Sequence, residues 1–111
     1  MTSSINGIEY VRNDLIKPSE KKIVRTYSAG VFFGEIESRN GMEVVMVNVR
    51  RLWYWSGAAS LSQLAIEGTS KPNLCKFPCV ENRKELMQAI EILDCTEKAI
   101  KSIEGVKVWS Q

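Results

Sequence analysis

Histidine is absent from this 111-residue sequence. That removes the side chain most often used as a general base near neutral pH, and with it the Ser-His-Asp and Cys-His arrangements. Walker-type and dinucleotide-type glycine patterns are missing as well. No window approaches the length of a membrane-spanning helix, and Met1-Thr2-Ser3-Ser4-Ile5-Asn6 lacks the basic and apolar parts of a signal peptide. The expected location is therefore the cytoplasm, with no membrane partner. Cysteine is scarce: Cys75, Cys79 and Cys95 are an odd set that argues against a disulfide framework. Cys75 and Cys79 could supply two metal ligands, but without histidine a zinc site would also need Cys95 and a carboxylate such as Asp94. The expectation is three ordinary thiols, no metal and no cofactor. An enzyme would have to rely on carboxylates such as Glu35, Glu37 and Glu43, which read more simply as solvated or edge positions. The chain is read as a non-enzyme.

Charge of one sign is also in short supply. The formal net charge is +2, too weak on its own to imply nucleic acid or an anionic surface. The 44% apolar and 25% charged content is that of one ordinary globular domain. Residues 1–22 read as a lead-in segment, with Lys17-Pro18 breaking any helix there, and residues 23–111 as a single α+β domain. Its expected architecture is a small, largely antiparallel sheet built on a long Asn40-Gly41 hairpin, with two short helices.

Asn-Gly favours a two-residue type I′ loop, and two β-rich runs flank it, Ile23 to Ser38 and Met42 to Trp55. A loop of Asn40-Gly41 pairs Arg39 with Met42 and, two residues at a time, Phe32 with Val49, Gly30 with Arg51 and Ser28 with Trp53. That face is mostly apolar and reads as the core side. The opposite face, with Phe33, Arg50, Leu52 and Tyr54, mixes aromatic and charged groups; it suits a binding surface or a half-covered sheet face equally. In this register Arg51 is structural and Arg50 ligand-facing. Beyond the hairpin, Ser56 or Ser60 is the N-cap candidate of a helix that Gly68 stops, and Ser60 with Gln63 fits a capping box. Residues 69–78 read as a loop. Glu85 to Leu93 is open between helix and strand, leaning to strand near its end. A helix is expected from Asp94-Cys95-Thr96-Glu97 to about Glu104, capped by Gly105, and a short strand from Val106 to Trp109.

The unusual chemistry lies between Arg50 and Ser60. Arg50 and Arg51 offer planar donor forks for phosphate or carboxylate. Trp53, Tyr54 and Trp55 offer stacking faces. Ser56, Gly57 and Ser60 belong to a turn at a helix start, where unpaired amides favour an anion. Together these eight residues suit a nucleotide. The plainer interpretation, a buried strand end followed by a helix start, accounts for the same residues and is the more common arrangement.

The run from Arg51 to Ala65, with its Trp-Tyr-Trp-Ser-Gly-Ala-Ala-Ser core, followed by Glu67-Gly68-Thr69, resembles a family of small proteins from tailed bacteriophages and prophages. So do Cys75-Lys76-Phe77-Pro78, Ala89-Ile90-Glu91-Ile92, Cys95-Thr96-Glu97 and Ala99. The similarity extends from about Val24 to Trp109. It implies an accessory protein in the host cytoplasm that sequesters a nucleotide signal of host defence without cleaving it. A domain this small cannot easily enclose such a ligand, so a site shared within a homo-oligomer is expected. A competing reading is a module that blocks a host protein through the same aromatic and arginine patch. Binding of single-stranded nucleic acid is disfavoured by the near-balanced charge.

Overall fold

The computed structural model describes residues 21–110. The expected lead-in therefore lies outside the described residues, except for Lys21 and Lys22, which belong to the first described strand. Five strands, β1 (Lys21–Thr26), β2 (Val31–Asn40), β3 (Glu43–Arg51), β4 (Val80–Leu86) and β5 (Ala89–Asp94), form one sheet in the order β4-β3-β2-β1-β5. Every neighbouring pair is antiparallel. Two helices, α1 (Leu61–Glu67) and α2 (Glu97–Glu104), and a 3₁₀ turn at Pro72–Leu74 complete the domain. The α+β class and the mainly antiparallel sheet agree with the expectation.

The connectivity imposes the shape. β4 and β5 are the two edges of the sheet, yet only Met87 and Gln88 separate them. In a flat sheet four strand spacings would put those edges roughly 19 Å apart. The three Cα steps from Leu86 to Ala89 reach at most about 11 Å. The sheet must therefore curl until its edges meet, giving a partly closed barrel. β1 and β3 point the same way, so β4 and β5 also run in one direction and follow each other in line. Two hydrogen bonds fasten the junction: Tyr27 N–H donates to the Gln88 carbonyl at 2.9 Å, and Ala89 N–H to the Met42 carbonyl at 2.9 Å.

Curling creates an inside and an outside, and both are buried near the β1–β2 end. Val24, Phe32, Val44, Met46, Val49 and Leu86 fill the barrel. Their chain neighbours Ile23 and Phe33 face outward, into a second core with Leu52, Leu64, Phe77, Ile100 and Ile103. The two helices and the long β3–β4 connection cover that outer face.

The single β run expected from Ile23 to Ser38 is broken. Thr26 Oγ1 donates to the Gly30 carbonyl at 2.7 Å and accepts from Ala29 N–H at 3.0 Å, closing a tight turn that Gly30 completes at φ 108°. The hairpin register also differs from the expected one. Asn40 pairs with Glu43, so Gly41 and Met42 form the loop, and Phe32 lies opposite Arg51. Strict alternation fails because two irregularities interrupt the ladder. At the one nearer the β3 end, Asn48 and Val49 oppose the single residue Gly34. Asn48 takes φ 50°, which asparagine tolerates better than most residues. Gly34 is required there, since a Cβ would sit 2.9 Å from both the Asn48 carbonyl oxygen and the Val49 Cα.

The helix signals hold. Gln63 N–H donates to Ser60 Oγ at 3.1 Å, and Gly68 ends α1 at φ 77°. Thr96 caps α2 by accepting from Ala99 N–H at 3.1 Å. Glu85 to Leu93 resolves as the end of β4 and most of β5. The expected strand at 106–109 is reduced to one parallel bridge, Phe77 with Val108, because the only backbone beside it is a short piece of the β3–β4 connection. Gly34→Ala should lower stability by about 1–3 kcal/mol in urea unfolding, as its methyl meets backbone that cannot move aside. Asn48→Gly should be near neutral in the same measurement.

Candidate functional site

Arg50 belongs to the core. It lies opposite Phe33, on the outer face that the helices cover, and is 4% exposed. Its Nε donates to the Pro78 carbonyl (2.8 Å), Nη1 to Ile103 (2.9 Å), and Nη2 to Phe77 (3.0 Å) and Val106 (2.7 Å). Four of its five N–H groups are thus spent on backbone carbonyls. Burial pulls its pKa below the ordinary arginine value, with Cys79 acting weakly in the opposite sense. The expectation of a ligand-facing Arg50 is corrected: this arginine ties the β3–β4 connection and the end of α2 to the sheet.

Arg51, expected to be structural, is the half-buried arginine that reaches a surface groove. The groove holds about 320 Å³ and runs between the β1–β2 turn, Ser28 to Val31, and the strand end at Arg51, Leu52, Trp53 and Trp55. The Arg51 guanidinium lies 4.7 Å from the centre of the Phe32 ring and donates through Nη1 to the Ala29 carbonyl at 2.6 Å. A methyl at Gly30 would stand 3.1 Å from that Nη1, so the glycine lets the arginine lie flat against the turn. Hollows at the hairpin tip, about 260 Å³, and beside Asn48, about 190 Å³, are smaller.

Alternation past Arg51 divides the aromatics. Trp53 and Trp55 line the groove, Trp53 being 60% exposed and Trp55 half-buried against the outer core. Tyr54 is bridged through its backbone to Lys76 and is not among the groove residues; its ring carries the Lys76 ammonium at 5.9 Å. Ser56, Gly57 and Ser60 are not brought to the groove. The Ser56 carbonyl accepts from the Thr69 hydroxyl, the Gly57 carbonyl accepts from Ser70 N–H at 3.2 Å, and Ser60 Oγ caps α1. Ala59 N–H is itself bound to Gln63 Oε1 at 2.7 Å. The expected anion cradle is therefore filled by its own capping groups.

The β1–β2 turn, whose Gly30 and Ser28 were expected opposite Arg51 and Trp53, forms one wall. Two further participants escaped sequence reasoning. Trp109 stacks on Trp53 with ring centroids 6.4 Å apart and planes within 7°. Lys76 places its ammonium 5.6 Å from the Trp109 ring. Among the described residues the ion pairs involve side chains of β1, β2, β4, β5 and α2, and none involves residues 51–79 or Lys107. Cys75 and Cys95 are buried and Cys79 is exposed. No group of three or more metal-ligating side chains gathers among the described residues.

Arg50→Met should cost about 3 kcal/mol and lower Tm by roughly 10 °C or more, because buried carbonyls lose charged donors. Arg51→Met should shift Tm by a few degrees at most, and paired thermal melts check both. Burial raises the Cys95 thiol pKa from 9.0 to about 11. The unfolded chain therefore releases this proton first, so the thiol's contribution is intact below about pH 9 and is lost as pH rises toward about 11. Over that range the Tm of Cys95→Ala should fall less steeply than that of the wild type.

Among the described residues no helix is long and apolar enough to cross a membrane. No curated protein and no solved structure matches the chain. A family profile described as a domain of unknown function (DUF6948) matches residues 19–103, which span the whole sheet and nearly all of α2. On that match, the chain belongs to the DUF6948 family.

Proposed function

We propose that this protein binds and sequesters a nucleotide-type small molecule in the groove between the β1–β2 turn and Arg51–Trp55, without cleaving it. The observation that carries the reading is one juxtaposition: half-buried Arg51 and the broad, exposed indole of Trp53 line the same groove. An arginine fork suits a phosphate, and an indole face suits a base. At the turn the Ser28 hydroxyl, which donates to Gln88 Oε1 at 3.3 Å, keeps lone pairs that could accept from a base edge. The similarity of the Arg51–Ala65 run to small phage proteins supports the biological setting, an accessory protein acting in a host cytoplasm on a nucleotide signal of defence. A groove of about 320 Å³ sits at the small end of ligand sites, which favours completion by a second subunit.

A specific observation favours one alternative. Trp53 and Tyr54 are 60% and 51% exposed at adjacent positions just past the end of β3, a composition typical of protein–protein hot spots. The two readings part in calorimetry against linear and cyclic adenine nucleotides. Sequestration predicts binding at micromolar protein, with the nucleotide recovered intact after the protein is denatured. Trp53→Ala should weaken binding about ten-fold or more while moving Tm by only a few degrees. If no nucleotide binds and a stoichiometric protein partner is retained from host lysate, the interaction reading replaces this one.

A further inference from the structure

The Trp53–Trp109 pair stands between two grooves. Trp53 lines the first, beside Arg51; Trp109 lines a second, of about 160 Å³, with Pro72, Asn73, Lys107 and Val108. The two rings stack nearly parallel, so the grooves share one aromatic wall. Each groove has its own cation, Arg51 in the first and Lys107 in the second. The Lys76 ammonium stands beside the wall, within 6 Å of both the Trp109 and the Tyr54 ring centres. The second groove also offers Pro72 and Val108 as apolar flanks and the Asn73 amide, which can both donate and accept at a base edge. Alone, it is well below the ~300 Å³ at which small-molecule sites usually begin.

We infer that the ligand has two planar bases joined through a phosphate, one base in each groove, with the linking phosphate passing the indole wall near Lys76. This rests on the nucleotide reading of the first groove and extends it to a dinucleotide unit. Repetition is the basis of the argument: an indole and a cation line each of two recesses, and the two indoles stack on each other. Stacking on exposed indoles with flanking cations is also how single strands are held, so the unit could be a free dinucleotide or two residues of a strand.

The test compares three probes on the intact protein by calorimetry: adenosine monophosphate, the dinucleoside monophosphate ApA, and hexa-adenylate. ApA should bind about ten-fold or more tightly than the mononucleotide, since its second base binds at high effective concentration. Asn73→Ala/Lys107→Ala changes two exposed side chains and leaves the indole pair in place; it should erase the ApA advantage while leaving mononucleotide binding unaltered. Hexa-adenylate binding tighter than ApA would identify a strand as the source, and equal binding a free dinucleotide; either supports two grooves in use. Equal affinity for ApA and the mononucleotide, both lost in Trp53→Ala, would overturn the two-groove inference and leave the first groove standing. Binding of none of the probes would remove both.

Discussion

The guanidinium of Arg50 holds the domain's layers in register. A buried carbonyl left short of donors is costly, and the β3–β4 connection and the end of α2 bring four carbonyls to one place, of which Phe77 and Ile103 also accept a backbone N–H. Phe77, Pro78, Ile103 and Val106 all accept from this one side chain. Because those carbonyls come from two segments that enter the outer core separately, no helix or ladder could satisfy them together. Arginine can do so because its planar fork directs several donors at once, and it stays charged where lysine would readily lose its proton. The aromatic wall inherits its position from this arrangement. Trp109 follows Val106 by three residues, and its N–H donates to the Phe77 carbonyl at 3.0 Å, so the ring that stacks on Trp53 is anchored one step from the clamp.

Charge is distributed along the same division. The paired cations lie on the strands, where Lys22 meets Asp94 and Arg25 meets Glu91 across the β1–β5 ladder. Such exposed pairs contribute little to stability individually. Their consequence is spatial, since carboxylates concentrate around the sheet and few stand near the indoles. A near-neutral total therefore conceals a locally basic, aromatic face. Net charge sums over the full surface, whereas the potential at any one face is set by charges within about a Debye length of it.

Much of the fold was legible in local sequence signals. Ser60 with Gln63, Gly68, Thr96 and Gly105 are caps whose hydrogen bonds close within a few residues, and they lie where they were expected. The Asn40-Gly41 signal located the hairpin but missed its loop by one position, as Gly41-Met42. The bulge at Asn48 exchanges the faces of Val44 to Val47, but Arg50 and Arg51 keep the faces that alternation gave them; their roles were misread because the helices and the β3–β4 connection cover the face of Phe33, Arg50 and Leu52. A bulge of this kind is dictated by long-range closure, and Gly34 and Asn48 are its traces in the sequence. The candidate site was legible in part: Arg51, Trp53 and Trp55 converge, while Ser56, Gly57 and Ser60 serve the loop and the helix cap. The hairpin pairing already set Ser28 and Gly30 near Trp53 and Arg51, while Trp109 approaches only through tertiary structure.

The in-line succession of β4 and β5 has a consequence for the order in which the molecule can be built. Both edges of the three-stranded core, β1-β2-β3, stay open until residues 80–94 are in place, and one continuous piece of chain then covers both. During synthesis the early strands emerge with two unprotected rows of backbone donors and acceptors, the condition under which strands pair with the wrong partner. The contacts that relieve it join β5 to β1 across more than sixty residues, so closure is slow relative to forming the β2–β3 hairpin. The long connection of residues 52–79 lengthens that interval, and the Trp-rich segment it begins with is synthesised well before Trp109, the residue that stacks against it.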